Sequence, residues 1–168
     1  GLPTAGYLLV KTDAEGTVVW SKTYAPDNPY DPGHVCVENR PYALDITSDG
    51  GYLAVGSSYV GGYNLASVLK TDADGNVEFI KVVNDNGRAY VENIVAGQQT
   101  SDGGYVLCGY SDDGSPKGNL ALLIKLDGSG NLVFSKTYQY PQENHGAEAY
   151  AVTQTQDGGY LLGGELIN

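Results

Sequence analysis

One short string governs what this chain can fold into. Asp-Gly-Gly-Tyr occurs three times, at Asp49 to Tyr52, Asp102 to Tyr105 and Asp157 to Tyr160, spaced by 53 and 55 residues. A second pattern, Lys-x-Asp-x-x-Gly, interleaves with it at Lys11 to Gly16, Lys70 to Gly75 and Lys125 to Gly130. Four residues past each closing glycine stands a large aromatic (Trp20, Phe79, Phe134), and two further on a lysine (Lys22, Lys81, Lys136). Two motifs held in one register three times over are the mark of a repeat architecture.

Each unit divides into four strand-like segments, a to d. Segment a is polar-mixed (Tyr42 to Thr47, Ile94 to Thr100, Tyr150 to Thr155). Asp-Gly-Gly is then expected to make a two-residue hairpin turn, because Asp-Gly and Gly-Gly tolerate the positive φ such turns need. Segment b follows (Tyr52 to Gly56, Tyr105 to Gly109, Tyr160 to Gly164), and segment c is nearly all apolar, as in Leu120 to Ile124, so it should be covered on both faces. Asp-x-x-Gly closes the next hairpin. Segment d (Val18 to Tyr24, Val77 to Val83, Leu132 to Tyr138) alternates apolar with polar, as a half-exposed strand does. No segment sustains a helical period. Four antiparallel strands per unit are the signature of a β-propeller blade, with a stack of hairpins or a sandwich as the other architecture.

At these residues the chain resembles the Asp-Gly-Gly-Tyr propeller repeats of secreted and cell-surface proteins of bacteria and archaea. The family pattern falls on Glu92, Thr100, Asp102 to Tyr105, Gly109, Lys125, Asp127, Gly130, Phe134, Lys136 and Tyr138, and the repeats cover nearly the whole chain. It departs where Phe79 and Phe134 replace the usual Trp and where Val83 replaces Tyr. The resemblance implies an extracellular or cell-surface propeller module and brings no catalytic residues with it.

The expected fold class is therefore all-β, a single domain over residues 1–168 with three four-stranded antiparallel blades, one of them split between the termini. The pieces are a c-d half-blade (1–24), two whole blades (37–83 and 91–138) and an a-b half-blade (147–168). The split is in register: Gly104 to Lys125 spans 22 residues, and Gly159–Asn168 joined to Gly1–Lys11 spans 21. An unfilled sheet edge is an aggregation template, so a partner for each half is expected. The chain could close on itself as three blades, two chains could close a six-bladed ring, copies could run on as a filament, or further blades could lie in a longer chain. Completion between copies is the preferred expectation, with strand complementation as mechanism.

A formal charge of −11 disfavours nucleic acid and anionic membrane surfaces as partners. No apolar run is long enough to span a bilayer, so no membrane insertion is expected. With 24 Gly, 14 Tyr and an acidic balance, the composition is common among secreted all-β proteins and favours an extracellular or cell-surface location, and the absence of Met is expected of a processed chain or a piece of a longer one. Cys108, inside an apolar segment, reads as a small buried hydrophobe; Cys36 lies in a long polar connection, and their spacing suggests no metal or redox pair.

No nucleophile elbow, metal-binding helix or nucleotide loop is present, so no catalytic residue is assigned and the chain is not expected to be an enzyme. The Asp72 to Asn76 turn resembles a calcium loop faintly, but glycine falls at position 4 and Val83 at position 12, where an EF-hand has glycine at 6 and glutamate at 12. No cofactor or metal site is expected, with weak Ca2+ binding left open. The d-to-a connections gather Tyr30, His34, Arg88, Tyr90, Tyr140 and His145, a candidate face for a glycan or a surface protein. Tyr59, Tyr63 and Tyr110 are expected in loops that would add rings to such a surface. Glu38, Glu92 and Glu148 recur before segment a, and their recurrence argues for a structural task such as capping backbone N–H groups.

Overall fold

The computed structural model describes residues 6–27, 36, 38–83, 91–112, 118–139 and 145–167. These contain strands and turns and no helix. In chain order the strands are β1 (Tyr7–Thr12), β2 (Val18–Tyr24), β3 (Glu38–Ile46), β4 (Tyr52–Val60), β5 (Tyr63–Thr71) and β6 (Val77–Val82). They continue as β7 (Val91–Gln99), β8 (Tyr105–Asp112), β9 (Leu120–Leu126), β10 (Leu132–Tyr138), β11 (Gly146–Gln154) and β12 (Tyr160–Ile167). All pairing is antiparallel. Two sheets are four-stranded meanders, β3-β4-β5-β6 and β7-β8-β9-β10, and two are hairpins, β1-β2 and β11-β12.

The sheets stack in chain order. Leu53, Val55, Ala66 and Val68 of β4-β5 pack against Leu107, Leu122, Ile124 and Leu126 of β8-β9, with Ile94 of β7 between them. The β1-β2 hairpin presses Tyr7, Leu9 and Tyr24 onto Ala54 and Leu69, on the opposite face of β4-β5. At the far side β11 lies against β7, β8 and β9, as β7 lies against β3, β4 and β5. Segment c is sandwiched, as its all-apolar sequence demands: Leu122, Leu123 and Ile124 are all buried.

Three local expectations are corrected. Segment a is longer than the alternation indicated, starting at Glu38, Val91 and Gly146. Each copy carries a register shift at the same place (Pro41/Ala43, Ile94/Ala96, Ala149/Ala151), and the extra residue breaks the period-two pattern that marks a strand. Tyr59 and Tyr63 are in strands, flanking a tight Gly61-Gly62 turn at the tip of the β4-β5 hairpin, and Tyr110 is in β8. Consecutive glycines at positive φ (59° and 95°) allowed a two-residue turn where a longer loop was expected.

The third correction concerns Asp-Gly-Gly. Thr47 C=O accepts from Gly50 N and Thr47 N donates to Gly51 C=O, so the loop holds three residues, a type I turn closed by a left-handed glycine. Only the first glycine has positive φ (Gly50 82°, Gly103 79°, Gly158 85°). The second is glycine for space. A Cβ on Gly51 would run into Thr71 C=O and the Lys70 ammonium, and one on Gly104 would meet Leu126 C=O and the Lys125 ammonium. Gly104→Ala is expected to lower stability by about 1–3 kcal/mol through this clash. Urea unfolding measures it, and an unchanged midpoint would show that strand c does not approach the turn this closely.

Candidate functional site

Of the residues expected on a binding face, Tyr30, His34, Arg88, Tyr90 and Tyr140 lie outside the described residues. His145 is half-buried just before β11. The recurring glutamates lie within segment a, and two of them reach the preceding sheet. Glu92 accepts from Ala66 N of β5 at 3.3 Å, the backbone capping its recurrence suggested. Glu148 accepts from the Asn119 side-chain amide, and also from Tyr150 Oη at 2.6 Å. Glu38 instead pairs with Arg40 on its own strand.

The Asp-x-x-Gly carboxylates are engaged by their own turns. Asp72 Oδ1 accepts from Asp74 N (2.9 Å) and Asn76 N (2.8 Å), and Asp127 Oδ1 accepts from Ser129 N (2.9 Å) and Asn131 N (2.8 Å). Both cysteines are buried and free of disulfides. Burial pushes the Cys108 thiol up to about 12 and raises that of Cys36, so neither is poised as a thiolate. Cys36 sits with Val60 and Leu65, an apolar site that its polar neighbours in sequence did not reveal.

Most of the recurring motif residues serve one contact. Lys70 on strand c is 1% exposed, and its ammonium donates to Asp49 (2.8 Å), to Thr71 C=O (2.8 Å) and to Glu78 (3.1 Å). Burial by itself lowers the Lys70 pKa, but the two carboxylates outweigh it and the net shift is upward. Lys125 repeats the arrangement with Asp102 (3.1 Å) and Leu126 C=O (2.9 Å). The aromatic of strand d packs edge-on against the tyrosine of the next sheet: Trp20 with Tyr52, Phe79 with Tyr105, Phe134 with Tyr160, at centroid separations of 5.8, 5.8 and 6.2 Å. The lysine after it grips the next Asp-x-x-Gly turn. Lys22 donates to Asp74 C=O (2.8 Å) and Lys81 to Ser129 C=O (2.7 Å).

At the two hairpin sheets this contact is left in halves. Among the described residues β12 pairs with β11 and β1 with β2, and each keeps its other edge open. Side chains that the interior repeats bury come to the surface here. Leu161 is 62% exposed where Leu53 and Val106 are at 0%, and Val10 is 49% exposed where Leu69 and Ile124 are at 0%. Leu8 is 57% exposed where Leu122 is at 1%. A cavity of about 350 Å³ opens between β9-β10 and β12, walled by Leu123, Phe134, Tyr138, Tyr160 and Leu162. A second, of about 260 Å³, lies between β1-β2 and the next sheet, walled by Leu9, Trp20, Leu44 and Tyr52. The Trp20 Nε1 is buried without a hydrogen-bond partner.

No family model matches the chain, and no match to a curated protein was found. Among the described residues no three His, Cys, Asp or Glu side chains converge as a metal site. The geometry that remains is one of edges and seats for strands.

The Asp102 carboxyl is held down to about 2 by the Thr100 hydroxyl, the Gly104 N–H and the Lys125 ammonium. A lowered folded-state value contributes stability that is fully present above the unfolded carboxylate value and lost as pH falls through the folded one. Asp102→Asn is therefore expected to be less stable than the parent at neutral pH, with the gap narrowing between about pH 4 and about pH 2. Thermal unfolding across that range measures it; a gap that stays constant would rule out the assignment.

Proposed function

We propose that this chain is a non-catalytic structural module made of β-propeller-type blades, whose copies join by completing one another's split blade. Several features support the blade reading. The whole sheets are a-b-c-d meanders, successive a strands (β3, β7, β11) pack on one another, and the sheets stack face to face in chain order. The assembly reading rests on one observation above the others. Among the described residues β12 with β11 has no c-d pair beside it, β1 with β2 has no a-b pair, and each exposes apolar residues that its counterparts bury.

Strand addition suits such edges, because main-chain hydrogen bonds supply strength and alternate side chains supply specificity. The continuous packing of sheet on sheet also argues for a scaffold. Its acidic, tyrosine- and glycine-rich composition and the resemblance to secreted repeats favour a place at the cell surface or outside it.

Light scattering on the purified chain tests assembly. The expected particle mass is at least twice the 17.7 kDa of one chain. A stable, well-folded species at the single-chain mass across micromolar concentrations would overturn the proposal.

A further inference from the structure

Resting on that assembly reading, we infer that the joint between copies has one defined register, locked by an ion pair between Asp157 of one copy and Lys11 of the next. In both whole sheets the b and c strands pair in the same way. Tyr52 lies opposite Thr71, Leu53 opposite Lys70, Ala54 opposite Leu69 and Gly56 opposite Ser67, and β8-β9 repeats this from Tyr105 opposite Leu126 onward. Carried to the open edges, the same pairing sets Tyr160 opposite Thr12, Leu161 opposite Lys11, Leu162 opposite Val10, Gly163 opposite Leu9 and Gly164 opposite Leu8.

Four separate features fit this register. Asp157 holds the place of Asp49 and Asp102, accepting from Thr155 Oγ1 and from Gly159 N at 3.1 Å, yet among the described residues no cation pairs with it. Lys11 holds the place of Lys70 and Lys125, yet it is only half-buried, and its ammonium lies over the Tyr52 ring and donates to Ala73 C=O at 3.5 Å, with no carboxylate paired to it among the described residues. Gly159 is the second point. It has no positive φ, and a Cβ there would meet only Thr155 and Asp157 of its own turn. Its counterparts Gly51 and Gly104 are glycine to admit the strand-c lysine and the following carbonyl.

Third, Leu8 and Val10 alternate with the buried Tyr7 and Leu9, so they point away from their own chain. In the joint they enter the cavity beside β12, as Leu122 and Ile124 enter the core between the whole sheets. Fourth, the outer contacts are halved in the same sense. Trp20 lies against Gly75 and Phe79 against Gly130, but a Cβ on Gly16 would touch nothing. Among the described residues Phe134 and Lys136 on β10 have no such turn to grip, and the joint brings the Asp13–Gly16 turn of the second copy to them. A second copy is the occupant because each chain carries both halves. Its own β1 does not fill this edge, since among the described residues β1 pairs with β2 alone and β12 with β11 alone.

The test is a charge exchange at the joint. Asp157→Lys sets two lysines against each other in a joint between like copies, and Lys11→Asp sets two aspartates. Each variant alone is expected to self-associate on the order of 30-fold more weakly than the parent, measured by sedimentation velocity. An equimolar mixture of the two is expected to recover parental association, because every mixed joint regains one lysine and one aspartate. Asp157 lies on an exposed turn, and circular dichroism and thermal unfolding check that each variant keeps the fold at the temperature of the measurement. If the parent assembles and both variants assemble as well as it does, this register is wrong while copy-to-copy assembly stands. A monomeric parent removes both.

Discussion

Burying a lysine ammonium at the heart of each four-stranded sheet is the constraint from which the rest follows. A buried ammonium is costly unless carboxylates and carbonyls surround it. At Lys70 they are Asp49 from the neighbouring turn, the Thr71 carbonyl and Glu78. Bringing them together requires the b-c pairing in one register and a turn with no side chain at Gly51. The two sequence motifs are thus two sides of one contact. What remains of them faces the adjoining sheet: Tyr52 meets Trp20, and Gly75 accommodates the same indole. A chain that repeats this set of residues repeats both a sheet and the way sheets stack.

That is why so much of the fold could be read from the sequence. Strand segments b, c and d and the turn positions follow from residues whose tasks are local, such as Gly50 at positive φ and Asp72 clasping its own turn. The start of segment a was hidden, because the bulge between Ile94 and Ala96 throws the alternation out of step. The Gly61-Gly62 hairpin was hidden too, since its polar tip looks like the start of a longer connection.

The candidate site was half legible. Counting strand segments exposed the unmatched halves, but not the lysine that the proposed joint uses. The signal was available in the spacing: Asp49 and Asp102 have their lysines 21 and 23 residues on, and Asp157 and Lys11 hold the matching places in the two half-units. Reading it required knowing that Asp49 and Lys70 touch, which no composition or periodicity discloses. The residues of the d-to-a connections stood out for their chemistry rather than their placement, and of Tyr30, His34, Arg88, Tyr90, Tyr140 and His145 only His145 falls among the described residues.

Energetics bear on how such edges associate. Leu8, Val10 and Leu161 are each about half exposed, so burying the remainder is worth roughly 2–5 kcal/mol in total. Association costs about 4–15 kcal/mol in lost freedom, so apolar burial alone does not sustain a joint. In the proposed joint the balance falls to the β12-β1 hydrogen bonds and the ion pair, both of which demand correct register. The donor strand comes prepared: Tyr7 is fully buried on its own chain and hydrogen-bonded to Ser67, which holds β1 in place before a partner arrives. Less ordering remains to be done at the moment of contact. Two copies that fill both of each other's edges lose their freedom once while forming two joints. Such an arrangement is favoured over one that leaves an edge open, wherever the stacking angle of the sheets lets the second joint close.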